Sequence, residues 1–492
     1  MAENGMKKAK LFIDNFFVFG LGGIISKLVP LIMLPIITRL LPDTVYVGVS
    51  DLGMTVASFG AALATLGMYD AMYRKFFDFE KKDEKIALCT TSTLFVAISS
   101  FIVGFIFILF RSAICVGLFG SDEYLILVFI SALTVIFKTT NPFFLAPSRM
   151  QNHRKIFVLT NVLTAIVNYS VVILFICLGQ YLIAIPIAML ISSVISSAIL
   201  FYINREWFDF RLIDLKIIRP LLKIGLPMMP NFVFYWVMAS CDRLFVSKFL
   251  GVAENGVYSV GSKMGSISQL IYIAFAGGWH YFAFSTMNEP DQVRTTSRVF
   301  EYLSALSICG MIGAMNWSKV LYSFMFNGDY QKGYIVAPYL FFAPLLLMLY
   351  QTVSNQFLII KKTGPAAFFL LIGVCINVGL NFVLIPQMGI EGAAIATLSG
   401  YVVALVLCCI KLHEIKLITF SRRYIISMLV LTVYFIVYRF VWNANIGLLS
   451  LFGGGSVLCI LLLYIREIRS ILFFINKRVF GNGNDNVSNV TD

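Results

Sequence analysis

The chain is a succession of long apolar runs separated by short polar segments. Most runs have about 20 residues or more, the length that a helix needs to cross the hydrocarbon core of a bilayer. They are continuous and do not alternate as the strands of a transmembrane barrel would. The runs predict about fourteen membrane-spanning helices, near residues 11–37, 45–72, 87–110, 124–147, 156–178, 181–203, 221–248, 256–284, 298–315, 334–360, 365–385, 390–410, 424–440 and 446–465. We therefore expect an all-α polytopic membrane protein.

Basic residues are concentrated in every second loop. The segments 74–85, 205–223 and 411–423 are rich in Lys and Arg, whereas the loops on the opposite side hold few. Only 13% of the residues are charged, and the net charge is +13. By the positive-inside rule, this distribution predicts that the basic loops and both termini are cytoplasmic. Because topology accounts for the positive charge, we expect no nucleic-acid partner.

Two halves of the chain resemble each other. Gly48 and Asn168 of the first half correspond to Gly256 and Asn377 of the second at a nearly constant offset. This offset predicts duplication of a six-helix unit, and an even number of spans relates the copies by an axis along the membrane normal. The predicted domains are an N-terminal six-helix lobe (1–203), a cytoplasmic linker (204–219), a C-terminal six-helix lobe (220–412), two additional transmembrane helices (413–480) and a disordered cytoplasmic tail (481–492).

Five charged residues lie within the outer halves of the first, second, seventh and eighth spans. They are Lys27, Asp51, Asp242, Arg243 and Lys263. At 1.5 Å per residue, each lies roughly 8–15 Å below the outer end of its helix. A charge inside a membrane usually faces a cavity or a partner, because exposure to lipid is costly. Three basic and two acidic residues predict a net positive cavity between the lobes, which would attract an anionic headgroup. The alternative is a set of structural ion pairs that lock the lobes together on one side.

Further polar residues lie within the spans. Lys138, in the inner half of the fourth span, is a candidate for the same cavity, or extends its amine to the inner interface. Asn231, Gln269 and Asn355 are candidate sugar contacts, although hydrogen bonding between helices is the usual role of such residues.

Motifs of catalysis are missing from the sequence. It has no phosphate-binding G-x-x-x-x-G-K-[ST] motif, no nucleophile–His constellation and no zinc motif. We therefore expect a protein that is not an enzyme and needs no cofactor or metal.

Four segments carry a family resemblance. They are 222–231 (LKIGLPMMPN), the pair Asp242-Arg243, 256–260 (GVYSV) and 389–397 (GIEGAAIAT). Together with the pattern of spans, they resemble the polysaccharide (oligosaccharide or O-antigen) flippases of the multidrug/oligosaccharidyl-lipid/polysaccharide exporter (MOP) superfamily. The resemblance covers nearly the whole chain. Trp279-His280 departs from it, because relatives usually have an uncharged polar residue after the tryptophan.

The resemblance implies a two-lobed carrier that alternates between inward-facing and outward-facing states. It would move a polyprenyl-diphosphate-linked oligosaccharide to the outer leaflet of a bacterial inner membrane for O-antigen, capsule or another surface polysaccharide. An H⁺ or Na⁺ gradient is expected to drive it, and membrane lipids, glycosyltransferases and a polymerase of the same pathway are expected partners. We expect Lys27, Arg243, Lys263 and Lys138 to bind the diphosphate. Asp51 and Asp242 would orient these cations or sense the coupling ion.

Three other functions remain as alternatives. A multidrug cation antiporter of the same superfamily would favour an acidic cavity, and a lipid II flippase would use the same headgroup chemistry. A membrane polysaccharide polymerase or ligase would be expected to have a large outer loop rich in Arg or His, and no such loop is present.

Overall fold

The computed structural model describes residues 28–151, 153–273, 275, 279, 283, 290–360, 362, 364–441 and 446–469. This part of the chain is helical and contains no β-strand. Its helices are α1 Leu28–Leu40, α2 Thr44–Thr65, α3 Met68–Phe76, α4 Lys82–Leu109, α5 Arg111–Phe119, α6 Leu125–Met150, α7 Arg154–Cys177, α8 Tyr181–Ile203, α9 Ile218–Gly225, α10 Met229–Leu250, α11 Val252–Gly265, α12 Gln292–Met325, α13 Ala337–Ile359, α14 Gly364–Met388, α15 Ile390–Glu414, α16 Arg422–Val441 and α17 Ile446–Leu463.

The prediction of an all-α polytopic membrane protein is confirmed. Within the described residues, ten helical segments are long and apolar enough to cross a membrane, and α1 and α17 contribute shorter apolar helices. Where the predicted spans lie on described residues, those residues are mainly helical, whereas residues 11–27 of the first span and most of 274–284 of the eighth lie outside them.

Two predicted spans are interrupted. The span near 45–72 breaks between α2 and α3, where Leu66 and Gly67 both adopt positive φ angles of 48° and 67°. The span near 221–248 consists of α9, a 3₁₀ turn at Leu226–Met228 and α10. Pro227 and Pro230 account for this second irregularity, because proline lacks the N–H that a continuous helix would use.

The described residues form two compact units. The larger contains those up to Gln292 and Ser318–Leu417, and the smaller contains Val293–Trp317 and the residues from Ile418 onward. The division into lobes predicted from the repeat stays a prediction.

Hydrogen bonds between side chains connect the helices of the smaller unit. Glu301 accepts hydrogen bonds from the hydroxyls of Ser421 (2.6 Å) and Tyr464 (2.9 Å). The hydroxyl of Tyr434 donates to Oδ1 of Asn316 at 2.9 Å. These contacts join α12 to α16, to the residue before α16 and to the residue after α17.

In the larger unit, α2 and α11 cross in close contact near their first turns. A Cβ added at Gly48 would lie 1.8 Å from the carbonyl oxygen of Val252, and one at Gly256 would lie 2.1 Å from that of Thr44. Asn255 Nδ2 also donates to the carbonyl of Gly48 at 3.0 Å. The contact is reciprocal between Gly48 and Gly256, which the predicted repeat would make equivalent. We call this contact the Gly48–Gly256 crossing.

The other end of α2 meets the end of α9. A Cβ added at Gly225 would lie 2.6 Å from the carbonyl oxygen of Leu66, and one at Gly67 would lie 2.3 Å from that of Gly225. We call this contact the Gly67–Gly225 crossing. Thus α2 is in close contact with α11 near its first turn, and the residues that follow α2 are in close contact with the end of α9.

Candidate functional site

A cavity of about 630 Å³ lies among α10, α11, residues 269–273, α13 and α15. We call it the large cavity. Its volume is within the range of small-molecule sites, which is roughly 300–1,000 Å³. Its wall combines apolar side chains with a polar set, namely Tyr235, Asp242, Arg243, Tyr258, Ser262, Lys263, Ser266, Gln269, Tyr272, Gln351, Thr397 and Tyr401.

Asp51 of α2 links two cations of this wall. Its side chain is 4% exposed. Oδ2 lies 2.8 Å from Arg243 Nε, and Oδ1 lies 3.9 Å from Lys263 Nζ. The Nε–H of Arg243 is not aligned for a hydrogen bond, so the first contact is a close ion pair. One carboxylate thus faces two basic groups, and the triad has a net positive charge.

Arg243 is fixed by further contacts. One terminal nitrogen donates to the carbonyl of Ala239 at 2.7 Å, and the other donates to Ser262 Oγ at 3.1 Å. Its guanidinium is therefore bonded to its own helix, to α11 and to α2. Such a fixed planar group matches the geometry of phosphate oxygens.

Asp242 lies next to Arg243 in sequence but has a different environment. Its side chain is 3% exposed, and Oδ1 accepts hydrogen bonds from Asn377 Nδ2 (3.3 Å) and Asn381 Nδ2 (3.0 Å). Oδ2 accepts from the hydroxyls of Tyr258 (2.8 Å) and Thr397. Within the described residues, no Lys or Arg nitrogen lies at ion-pair distance from it.

A buried carboxylate with only neutral partners is costly as an anion. Here four neutral hydrogen-bond donors, two amides and two hydroxyls, offset part of that cost. The same side chains also carry amide and hydroxyl oxygens, which together with the carboxylate suit a hard cation such as Na⁺ rather than a transition metal. Among the residues whose positions are described, no group of three or more His, Cys, Asp or Glu could hold a metal ion.

Part of this site could not be found from the sequence. Asn377 and Asn381 are spaced i, i+4, which places them on one face of α14. This spacing is a signal that the sequence contained, but it did not indicate Asp242 as their partner. Tyr258 and Thr397 lie within the family-like segments 256–260 and 389–397, with no pattern that assigns them a function.

A row of polar groups forms another part of the large cavity wall. The hydroxyl of Tyr272 donates to Gln351 Oε1 at 3.0 Å. Tyr235, Tyr401 and the predicted sugar contact Gln269 line the same cavity. The sequence does not distinguish these tyrosines as site residues, because Tyr is common in apolar helices and these have no characteristic spacing.

The other predicted site residues are not brought together with the triad. Lys138 is half-buried on α6, Asn231 is half-buried on α10 and Asn355 is buried on α13. They line neither the large cavity nor the small cavity described below. Lys27 lies outside the described residues. The proposed roles of these four residues stay predictions.

The apolar helices, long enough to cross a membrane, and the charged cavity among them define a polytopic membrane protein. The chain belongs to the polysaccharide biosynthesis protein family, whose family model matches residues 12–287. The family predicted from residues 222–231 and their companion motifs is thereby confirmed.

Solved structures share this fold. The lipid II flippase MurJ in an inward closed conformation aligns over 93% of this chain and 99% of its own, with a TM-score of 0.66 and 16% identity. A multidrug resistance MATE family transporter of the MOP superfamily aligns in its outward-facing conformation over 82% of this chain and 96% of its own, with a TM-score of 0.59 and 14% identity. An inward-facing conformation of a MATE family transporter gives 0.57 at 15% identity, over 80% and 99% of the two chains.

A sequence relative is the uncharacterized membrane protein MJ1068 of Methanocaldococcus jannaschii. It is 26% identical over 191 residues. The match spans 38% of this chain and 38% of that relative's length.

Proposed function

We propose that the protein is a flippase that carries a polyprenyl-diphosphate-linked oligosaccharide to the outer leaflet of a bacterial inner membrane by alternating access. The observation that carries this proposal is the Asp51–Arg243–Lys263 triad at the large cavity. Two cations inside an apolar fold share one carboxylate, and a diphosphate would supply the missing negative charge. Glycosyltransferases and a polymerase of a surface polysaccharide pathway would be its functional partners.

The triad also offers a way to couple binding to movement. Asp51 belongs to the first repeat, whereas Arg243 and Lys263 belong to the second. A diphosphate bound to the two cations would replace Asp51 and remove an attraction that holds α2 against α10 and α11. A ligand shifts a conformational equilibrium only by binding two states unequally. Competition with Asp51 provides that difference, because the cations are free for the ligand only when the Asp51 carboxylate has released them.

Asp242 is the proposed site of the coupling ion. Its carboxylate is buried and separated from the triad's Asp51, so an H⁺ or Na⁺ at Asp242 would not compete directly with the diphosphate. Turning the amides of Asn377 and Asn381 would direct their oxygens toward a cation, and the hydroxyl oxygens of Tyr258 and Thr397 already face the carboxylate. Ion binding here would change the charge between α10, α14 and α15.

The proposal is tested by reconstituting the full chain in liposomes and measuring translocation of a fluorescent polyprenyl-diphosphate oligosaccharide. Arg243→Ala and Lys263→Ala are each expected to reduce the rate strongly. Lys248→Ala is the matched control, because Lys248 lies on the same helix as Arg243 but is exposed. Correct folding is checked by thermal unfolding. Wild-type rates in a folded Arg243→Ala/Lys263→Ala double variant would refute the proposal.

A second candidate is lipid II flipping, favoured by the similarity of the fold to MurJ over 93% of the chain. The same liposomes containing lipid II distinguish the two substrates, because both share the polyprenyl diphosphate and differ in the group attached to it. Multidrug cation antiport is less compatible with the net positive triad. Export of a cationic dye from the liposomes would favour it.

A further inference from the structure

A second cavity of about 300 Å³ lies among α1, α2, α7, α8 and α11. We call it the small cavity. It shares Lys263 and Ser266 with the large cavity, so the end of α11 and the residue that follows it form part of both walls. The two cavities therefore meet at one of the two cations of the triad.

The walls of the two cavities differ in chemistry. Apart from the shared residues, the small cavity is lined by aliphatic side chains, Met54 and Pro30, with Asn168 and Tyr169 as its polar members. The large cavity instead presents the polar groups Tyr235, Tyr272, Tyr401, Gln269 and Gln351. Tyrosine rings and side-chain amides offer flat apolar faces together with hydrogen-bond donors and acceptors. Those are the groups that a sugar, with its hydroxyls and its apolar ring faces, can use.

We propose that the two cavities hold two parts of one substrate on either side of its diphosphate. The sugar attached to the diphosphate occupies the large cavity, and the first isoprenoid carbons occupy the small cavity. The diphosphate lies between them on Lys263 and Arg243. This assignment rests on the proposed function and adds the orientation of the substrate in its site.

The reverse orientation is unfavourable for both parts. Sugar hydroxyls in the small cavity would lose hydrogen bonds to water and find few replacements, which is costly in an apolar site. Isoprenoid carbons in the large cavity would cover Tyr272 and Gln351 with apolar surface. They would offer these two side chains no hydrogen bonds. The small cavity can hold only the start of a polyprenyl chain, so the rest of the chain must extend from it into the bilayer.

Two substitutions fill one cavity each. Met54 lines only the small cavity and Leu347 lines only the large one, and both are half-buried. Met54→Trp and Leu347→Trp therefore form a matched pair of enlargements. Binding to the purified full-length protein is measured by titration calorimetry with inorganic pyrophosphate, with farnesyl diphosphate and with farnesyl diphosphate carrying one N-acetylglucosamine.

Met54→Trp is expected to weaken farnesyl diphosphate binding by about tenfold, the effect of losing the burial of roughly two methylene groups. Pyrophosphate binding should not change. Leu347→Trp should leave farnesyl diphosphate binding unchanged. It should also remove the gain in affinity that N-acetylglucosamine gives to farnesyl diphosphate. Met54→Gln, which has a similar length but a polar end, is the second variant if the tryptophan prevents folding. It should weaken farnesyl diphosphate in the same direction.

Two results would overturn the assignment. One is unchanged farnesyl diphosphate binding in folded Met54→Trp and Met54→Gln proteins. The other is a loss of farnesyl diphosphate binding in Leu347→Trp alone. Failure of the proposed function would look different, because pyrophosphate binding would then be insensitive to Arg243→Ala and Lys263→Ala. If those two variants lose pyrophosphate but the Met54 variants keep farnesyl diphosphate, only the orientation is wrong.

Discussion

The two glycine crossings predict opposite conformational effects from the smallest possible substitution. Gly256→Ala places a Cβ 2.1 Å from the carbonyl oxygen of Thr44, and Gly225→Ala places one 2.6 Å from that of Leu66. A comfortable carbon–oxygen contact is about 3.3 Å or longer. Each crossing must therefore open by about 1 Å to accept the methyl group. The backbone atoms involved cannot rotate away as a side chain could.

The magnitude follows from the cost of overpacking. An added methylene in a tightly packed contact costs about 1–3 kcal/mol, which corresponds to a change of about 5–150-fold in a two-state population. The predicted topology assigns the Gly48–Gly256 crossing to the outer side and the Gly67–Gly225 crossing to the inner side. Gly256→Ala should therefore favour outward opening, and Gly225→Ala should favour inward opening.

The assay is labelling of a single cysteine in the large cavity. Ala239→Cys is introduced after replacement of the nine native cysteines, and vesicles of either orientation are treated with a membrane-impermeant maleimide. Gly256→Ala should raise the labelling rate from outside by about 5-fold or more and lower it from inside, and Gly225→Ala should do the reverse. Gly379→Ala is the control, because a Cβ there meets no atom within 4 Å. Labelling rates equal to those of the control in both variants would refute the reasoning. A rise in the labelling rate on the same side of the membrane in both variants would also refute it.

Three further substitutions test the charges and the smaller unit. Asp51→Asn should lower the thermal stability of the ligand-free protein, because it removes the carboxylate that pairs with Arg243 and Lys263. For the same reason it should raise the affinity for pyrophosphate several-fold. A weaker affinity in calorimetry would contradict this expectation. Asp242→Asn keeps the shape of the side chain but removes its charge. Translocation in liposomes should therefore lose its dependence on an H⁺ or Na⁺ gradient. A variant that is still driven by the gradient would show that Asp242 does not bind the coupling ion. Tyr464→Phe removes one hydrogen bond to Glu301 and should destabilise the protein by about 1 kcal/mol without changing pyrophosphate affinity. Equal thermal unfolding of Tyr464→Phe and the wild type would show that the bond is not stabilising.

The helical, polytopic class of the protein was determined by the sequence itself. Membrane insertion depends on the summed hydrophobicity of each local run, and no knowledge of distant contacts is needed to recognise it. The same reasoning identified Asp51, Asp242, Arg243 and Lys263, because a charge inside an apolar run is conspicuous at any position. Their partners were not determined in this way.

Only the tertiary structure decided which of these charged side chains pair with one another. Neighbouring residues of a helix point about 100° apart, so Asp242 and Arg243 turn to different surroundings. Arg243 meets Asp51, whereas Asp242 meets Asn377 and Asn381 on a helix distant in sequence. The distant helix that each side chain contacts depends on how the whole bundle packs. The Gly48–Gly256 crossing, for example, holds α2 against α11. The sequence thus indicates where charge is buried, and the packing determines which charge has an ionic partner and which has only neutral ones.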